Sequence, residues 1–245
     1  MKRQKKEIDP KVVWGIVLVV LVAGIFAPQY FSPKAKWQRQ MNQVRALHQQ
    51  GKRQEAIPIG QRVVTSAEEL YGKNSLQAQQ ARELLLEIYR YEKEAAPMKS
   101  LASDIEKSYQ EERAKLEETM GPDHPQTVYT LIKLAQLYHN QRRYDESEKL
   151  YLEALDRIQR GQGANAPDRI TVWYQMINLY NAQRKFEQSE PLYGKILAYY
   201  EGRFGPQNIA LKDPLTRMAE FYRQIRNDAK TKQAEERIAS LRPGK

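Results

Sequence analysis

Residues 134–155, LAQLYHNQRRYDESEKLYLEAL, decide how this chain folds, because a later stretch repeats them. The stretch MINLYNAQRKFEQSEPLYGKIL, at 176–197, aligns with the first without a gap at a spacing of 42 residues. Aromatic positions coincide in the alignment, for example Tyr138 with Tyr180. Self-similarity at a fixed period of this length is the sequence signature of a stacked repeat protein.

The same period continues on both sides of this pair. A forward step of 42 residues leads from Tyr180 to Tyr222. A backward step of 49 residues leads from Tyr138 to Tyr89, and another 42 residues lead to Leu47. Glycines keep the same steps, at Gly72, Gly121, Gly163 and Gly205. We therefore predict five repeats, the second with seven extra residues, which are almost two helical turns and lengthen a helix without rotating its buried face.

Each repeat has the pattern of a helical hairpin. In the third repeat the apolar residues of the first helix follow the i, i+3, i+4, i+7 rule, and so do those of the second helix. Pro58 and Pro191 occupy equivalent positions near the start of second helices, where a missing amide costs least. No useful alternation with a period of two occurs. The sequence thus predicts an all-α fold.

Residues 121–158, GPDHPQTVYTLIKLAQLYHNQRRYDESEKLYLEALDRI, resemble the 42-residue tetratricopeptide repeat of the kinesin-light-chain type. The resemblance implies a right-handed α-solenoid of about five helix-turn-helix units, whose concave groove is lined by first helices and binds peptides or partner proteins. Ala135 and Ile177 stand where such repeats often place a small residue. Ile177 departs from that pattern, so the regularity of the superhelix is open at this position.

The amino-terminal sequence predicts one transmembrane helix before the repeats. Residues 12–27 contain no charge, and apolar character resumes at Tyr30 and Phe31, so the predicted span is 12–31. Five basic residues precede the span and three follow it closely, which favours a cytoplasmic amino terminus and an extracytoplasmic repeat domain. A cleaved signal peptide is the alternative, although its only cleavage-like site, Val22-Ala23-Gly24, is poor.

These patterns divide the chain into four predicted segments. They are a cytoplasmic basic tail (1–11), a transmembrane anchor (12–31), a tether (32–40) and a repeat domain (41–245). The predicted repeats cover approximately 41–73, 74–121, 122–163, 164–205 and 206–242. The predicted location is the plasma (inner) membrane, with the repeats in the periplasm if the cell is Gram-negative.

Composition argues against several functional classes. The chain has no cysteine, which excludes disulfides, thiolate chemistry and lipid attachment through cysteine. Its three histidines lie apart in the sequence, His48 in the first repeat and His124 and His139 in the third, and no catalytic, metal-binding or nucleotide-binding motif is present. The net charge is +10, but Lys and Arg are interleaved with Asp and Glu along most of the predicted helices of the repeat domain. We therefore expect no enzyme, no cofactor, no metal site and no nucleic-acid partner.

Helical phase predicts which side chains of the first helices line the groove. The predicted site is basic and rich in amides, which suits a peptide or protein segment with acidic or carboxylate character. Its residues are Lys133, Gln136, His139, Asn140, Tyr174, Gln175, Asn178, Arg217 and Arg223.

The predicted function is a membrane-anchored adaptor or assembly factor for protein interactions. One alternative is an extracytoplasmic, chaperone-like holdase that binds exported or membrane proteins and prefers apolar ligands. Another is reversed topology, with the repeats in the cytoplasm and a motor- or signalling-type partner.

Overall fold

The computed structural model describes residues 32–93, 95–163 and 166–243. The predicted tail at 1–11 and the predicted anchor at 12–31 lie outside these residues. Within the described part of the chain, no helix is long and apolar enough to cross a membrane. The described residues form ten α-helices and a short 3₁₀-helix, with one isolated β-bridge between Asn208 and Arg242.

The helices follow one another along the chain with short connections. They are α1 (Pro33–Gln49), α2 (Arg53–Tyr71), α3 (Leu76–Glu92), α4 (Ala95–Met120), α5 (Pro125–Asn140), α6 (Tyr144–Gln162), α7 (Asp168–Ala182), α8 (Phe186–Phe204), the 3₁₀-helix (Ile209–Leu211), α9 (Lys212–Gln224) and α10 (Asp228–Ala239). The chain divides into two compact bodies, an N-terminal body (Met1–Ser108) and a C-terminal body (Tyr109–Lys245).

The hairpin turns keep the period found in the sequence. One residue with a left-handed backbone lies in each turn, with φ between 58° and 77°. These residues are Gly51, Lys93, Arg142, Arg184 and Arg226, at steps of 42, 49, 42 and 42. The seven extra residues of the second repeat lengthen a helix as predicted, because α4 has 26 residues whereas α2, α6 and α8 have 19 each.

In the N-terminal body, α1 packs on α2 and α2 packs on α3. The indole Nε1 of Trp37 donates a hydrogen bond to the carbonyl oxygen of Val63 at 3.0 Å, which ties α1 to α2. The core consists of small and apolar side chains from these three helices: Trp37, Met41, Val44, Ala56, Val63, Ala67, Ala78, Ala81 and Ile88.

The segment predicted as a tether, residues 32–40, instead forms the start of α1. The Ser32 side chain caps the helix by accepting a hydrogen bond from the amide of Ala35 at 3.1 Å, and Pro33 occupies the first turn. Trp37 is buried in the core of the N-terminal body. The first repeat therefore begins at Pro33, eight residues before the predicted start. The additional helical turns place Trp37 on the same buried face as Met41 and Val44.

In the C-terminal body, the hairpins α5–α6, α7–α8 and α9–α10 pack in chain order. Leu131, Trp173 and Tyr180 belong to a core cluster that runs from α5 to α9. At the carboxyl end, Arg242 pairs with the loop before the 3₁₀-helix, since its amide donates to the carbonyl of Gln207 at 2.8 Å. Each hairpin thus buries its apolar faces against the next hairpin, as a repeat protein requires.

Candidate interaction surface

The first helices of the C-terminal body leave one stripe of side chains in contact with solvent. Spacings of 4, 3 and 4 residues place four positions of each helix on one face. All of them are exposed or half-buried, whereas the neighbouring positions Leu131, Ala135 and Leu179 are buried. We call this set the first-helix stripe: Tyr129, Lys133, Gln136 and Asn140 on α5; Thr171, Gln175, Asn178 and Ala182 on α7; Asp213, Arg217, Glu220 and Gln224 on α9.

Six of the predicted site residues belong to the first-helix stripe. Equivalent positions of successive repeats carry Lys133, Gln175 and Arg217, and a second equivalent pair is Gln136 and Asn178. Asn140 completes the stripe on α5. The helices α5 and α7 contact each other, so their stripes are neighbours. The structure therefore brings these polar side chains onto one continuous surface.

Two cations of the stripe lie over tyrosine rings. The ammonium of Lys133 is 5.7 Å from the centre of the Tyr129 ring, and the guanidinium of Arg217 is 5.1 Å from the centre of the Tyr174 ring. Tyr174 is half-buried at the margin of the stripe, and burial, followed by the charge of Asp213, raises the pKa of its phenol. Each ring offers a flat apolar surface beside a positive charge.

The stripe is less basic than the sequence predicted. Arg217 donates to the carboxylate of Asp213 at 2.9 Å, one turn earlier on α9. This bond holds the pKa of Arg217 above its ordinary value. Glu220 lies on the same stripe, so the two cations Lys133 and Arg217 are matched by two carboxylates. The stripe is therefore rich in amides, as predicted, but its charges sum to zero.

His139 and Arg223 contact their own second helices, away from the stripe. The His139 ring packs edge-on against Tyr144 of α6, with 5.9 Å between ring centres. Arg223 pairs with Glu235 of α10 at 2.6 Å. Asn181 occupies the equivalent position on α7, where its side-chain oxygen accepts a hydrogen bond from Ser189 of α8 at 2.7 Å. This position thus joins the two helices of a hairpin.

The sequence position of His139 and Arg223 relative to the hairpin turn indicates that they lie off the stripe. His139, Asn181 and Arg223 all lie three residues before the left-handed turn residue of their hairpin. A side chain so close to the turn lies next to the start of the second helix. Comparing the three repeats at this position would have separated these residues from the stripe.

Buried tyrosines hold successive hairpins together and so position the stripe. Tyr180 of α7 donates a hydrogen bond to Glu148 of α6 at 2.8 Å, and Tyr222 of α9 donates to Glu190 of α8 at 2.9 Å. Burial, then the hydrogen bond to the neighbouring carboxylate, raises the pKa of both phenols. These tyrosines are therefore core residues that also make a polar contact between hairpins.

Comparisons with known proteins agree with the repeat structure. Two family models described as tetratricopeptide repeat match this chain, one over residues 41–77 and one over residues 103–160. The chain therefore contains tetratricopeptide repeats, as the sequence resemblance implied. None of the curated protein sequences matches it.

Two solved structures have a similar fold. Kinesin-light-chain-type, nearly identical TPR-like repeats from Podosopora anserina are 16% identical, with a TM-score of 0.54, over 86% of this chain and 94% of that one. BtubC (BKLC) from P. vanneervenii is 16% identical, with a TM-score of 0.50, over 84% of this chain and 79% of that one. At these identities the likeness shows the fold alone: an all-α helical repeat of the α-solenoid class. Tetratricopeptide repeats suggest a protein–protein interaction scaffold.

Proposed function

We propose that this chain is a membrane-anchored adaptor or assembly factor that binds a peptide or protein segment along the first-helix stripe. The observation that carries the proposal is the stripe itself, a row of exposed and half-buried amide side chains together with two cation–aromatic pairs. Such a surface suits a binding protein rather than an enzyme.

The amides of the stripe support recognition of a peptide main chain. Gln136, Asn140, Gln175 and Asn178 each carry two N–H donors and one carbonyl acceptor in the side chain. An extended segment presents the complementary groups, one N–H and one C=O for each residue other than proline. The amides therefore provide affinity for the backbone of a segment without demanding one particular side chain.

The two cations support a preference for an acidic ligand. Lys133 is half-buried and lies over Tyr129, so a carboxylate that reaches it meets a positive charge beside an apolar ring. Arg217 is paired with Asp213, but both side chains are more than half exposed, and ion pairs of this kind contribute little free energy. A ligand carboxylate can replace Asp213 at small cost.

Capture of the partner in intact cells tests the stripe. We would compare the full chain with the double variant Lys133→Gln and Arg217→Gln, after crosslinking and purification. Glutamine removes the charge without placing two carboxylates side by side. A matched control, Lys149→Gln with Lys195→Gln, removes two exposed cations from the second helices α6 and α8.

The proposal expects the stripe variant to lose the crosslinked partner while its circular dichroism and melting temperature stay those of the natural chain. The matched control should keep the partner. Equal capture by both variants would place the binding surface elsewhere.

The membrane anchor and the topology are part of the proposal and have their own test. The uncharged run at 12–31 and the five basic residues before it support an anchor with its amino terminus in the cytoplasm. A reporter that is active only outside the cytoplasm, fused after residue 245, should be active. An expressed but inactive fusion would contradict the proposed topology.

A further inference from the structure

Helix α1 carries charge of a single sign. Between Asp9 and Glu55 the sequence contains no acidic residue. All four Lys and Arg side chains of α1 are exposed, namely Lys34, Lys36, Arg39 and Arg45. Its apolar residues Trp37 and Met41 point into the core of the N-terminal body. The charged groups that the helix presents to its surroundings are therefore all cationic.

Some exposed residues of α1 occupy repeat positions that are buried in a later repeat. The positions of Lys36, Arg39, Gln43 and Ala46 correspond, by the repeat period, to Thr127, Thr130, Leu134 and Leu137 of α5, all of which are buried. On α1 all four are exposed. We call Lys36, Arg39, Gln43 and Ala46 the α1 end face, and Lys34 adjoins it.

A terminal helix that only keeps a repeat array soluble needs polar residues of either sign. The last helix, α10, has such a mixture, with three acidic and three basic side chains: Asp228, Glu235 and Glu236, and Lys230, Lys232 and Arg237. The charged residues of the α1 end face, Lys36 and Arg39, are both cations. This difference indicates that α1 meets an anionic partner, whereas α10 meets solvent.

The chain preceding α1 indicates which partner this is. Ser32, which caps α1, directly follows the apolar run at 12–31. Each Lys or Arg held near an anionic bilayer strengthens binding by roughly fivefold. We propose that the α1 end face contacts the anionic headgroups of the bilayer that holds the amino-terminal segment. The proposal rests on the proposed anchor and is independent of the first-helix stripe.

Energy transfer to labelled lipid headgroups tests this contact in the full chain. Because the chain has no cysteine, Gln43→Cys gives one labelling site on the α1 end face. The labelled protein would be placed in nanodiscs of phosphatidylcholine, or of phosphatidylcholine with phosphatidylglycerol. Co-elution with the discs reports anchoring, and transfer from the label reports headgroup contact.

We expect higher transfer in the anionic discs than in the zwitterionic discs. The increase should vanish at about 1 M salt, where the screening length is about 3 Å. It should also vanish in the triple variant Lys34→Gln, Lys36→Gln and Arg39→Gln. A matched triple variant, Lys149→Gln, Arg184→Gln and Lys195→Gln, should keep the increase.

Several outcomes separate the contact from the anchor. Co-elution with anionic discs only, together with high transfer, would support the contact and contradict the anchor. Equal transfer in the two lipids would overturn the contact even if the protein stays anchored. An increase that survives in the triple variant of α1, or the absence of co-elution with either disc, would overturn it as well.

Discussion

The two compact bodies fill the same repeat position in different ways. The position lies eleven residues before the left-handed turn residue, and in the C-terminal body it holds the buried apolar residues Leu131, Trp173 and Leu215. In the N-terminal body the second repeat holds Arg82 there, which is only 1% exposed, and the first repeat holds the half-buried Gln40. Arg82 pairs with Glu68 at 2.5 Å and donates to the carbonyl of Lys73 at 2.7 Å. From the second repeat to the fifth this position is thus buried, while the side chain that fills it is charged in one body and apolar in the other.

The largest expected effect on stability comes from removing the apolar side chain at this position in the C-terminal body. Trp173→Ala removes a large side chain at the centre of the C-terminal core. We expect the free energy of unfolding to fall by about 3–5 kcal/mol, the usual cost of removing a buried aromatic side chain. Urea unfolding followed by circular dichroism measures it. A loss below about 1 kcal/mol would mean that Trp173 is not part of a packed core.

The next prediction compares a charged and an apolar side chain at this position of the N-terminal body. Glu68→Gln removes the carboxylate that neutralises a buried guanidinium, and since Glu68 is a third exposed we expect a loss of roughly 1–3 kcal/mol. Arg82→Leu gives the position the residue found in α5 and α9, so its cost should be smaller. The same unfolding experiment ranks the two. A greater cost for Arg82→Leu would show that the position in the N-terminal body requires the charge.

A smaller effect concerns the core tyrosines, which also differ between the bodies. Tyr180 donates to the carboxylate of Glu148, whereas Tyr89 accepts a hydrogen bond from Gln61 at 2.7 Å. Removing one such bond costs about 1 kcal/mol, and more where a charged partner loses its donor. Tyr180→Phe should therefore destabilise the protein more than Tyr89→Phe. Equal losses would indicate that the carboxylate of Glu148 is fully solvated.

The same tyrosines predict how stability depends on pH. The pKa values of Tyr180 and Tyr222 are raised above 10.0 in the folded protein, by burial and then by the neighbouring carboxylate. Above about pH 10 the unfolded chain loses these protons while the folded protein keeps them, so the free energy of unfolding should decline there. The variant Tyr180→Phe with Tyr222→Phe should decline less steeply. Identical slopes would contradict the assignment.

The smallest expected effect is at the surface. Arg217→Gln removes an exposed ion pair with Asp213, so the free energy of unfolding should change by less than about 0.5 kcal/mol. A thermal melt with circular dichroism checks this. A loss above about 2 kcal/mol would show that Arg217 is a structural residue, and the capture experiment with this residue would then need another substitution.

The fold was predictable because the repeat is regular at the buried positions of the first helices. Tyr138, Tyr180 and Tyr222 keep their spacing, which predicts the repeat, and the i, i+3, i+4, i+7 pattern of apolar residues predicts the helix pairs and their buried faces. The start of α1 was missed because the match to the repeat weakens before residue 41, although Trp37, Met41 and Val44 already follow the i, i+4, i+7 pattern.

The candidate surface was predictable only where local helix geometry determines it. Helical phase places Lys133, Gln136 and Gln175 on the stripe, and the contact between Arg217 and Asp213 is an i, i+4 pair that the sequence also offers. Arg223 and Glu235 are twelve residues apart on different helices, so their contact depends on how the hairpin closes. Contacts of that kind need the tertiary structure.

The most direct test of the central claim, that the first-helix stripe is the binding surface, is site-specific photocrosslinking in intact cells. A photoreactive amino acid would replace Gln136 or Asn178 on the stripe, and Leu152 or Gln188, exposed on second helices, as controls. The account predicts that the stripe positions give the same protein adduct and the control positions do not. An adduct formed equally from all four positions, or from the controls alone, would contradict it.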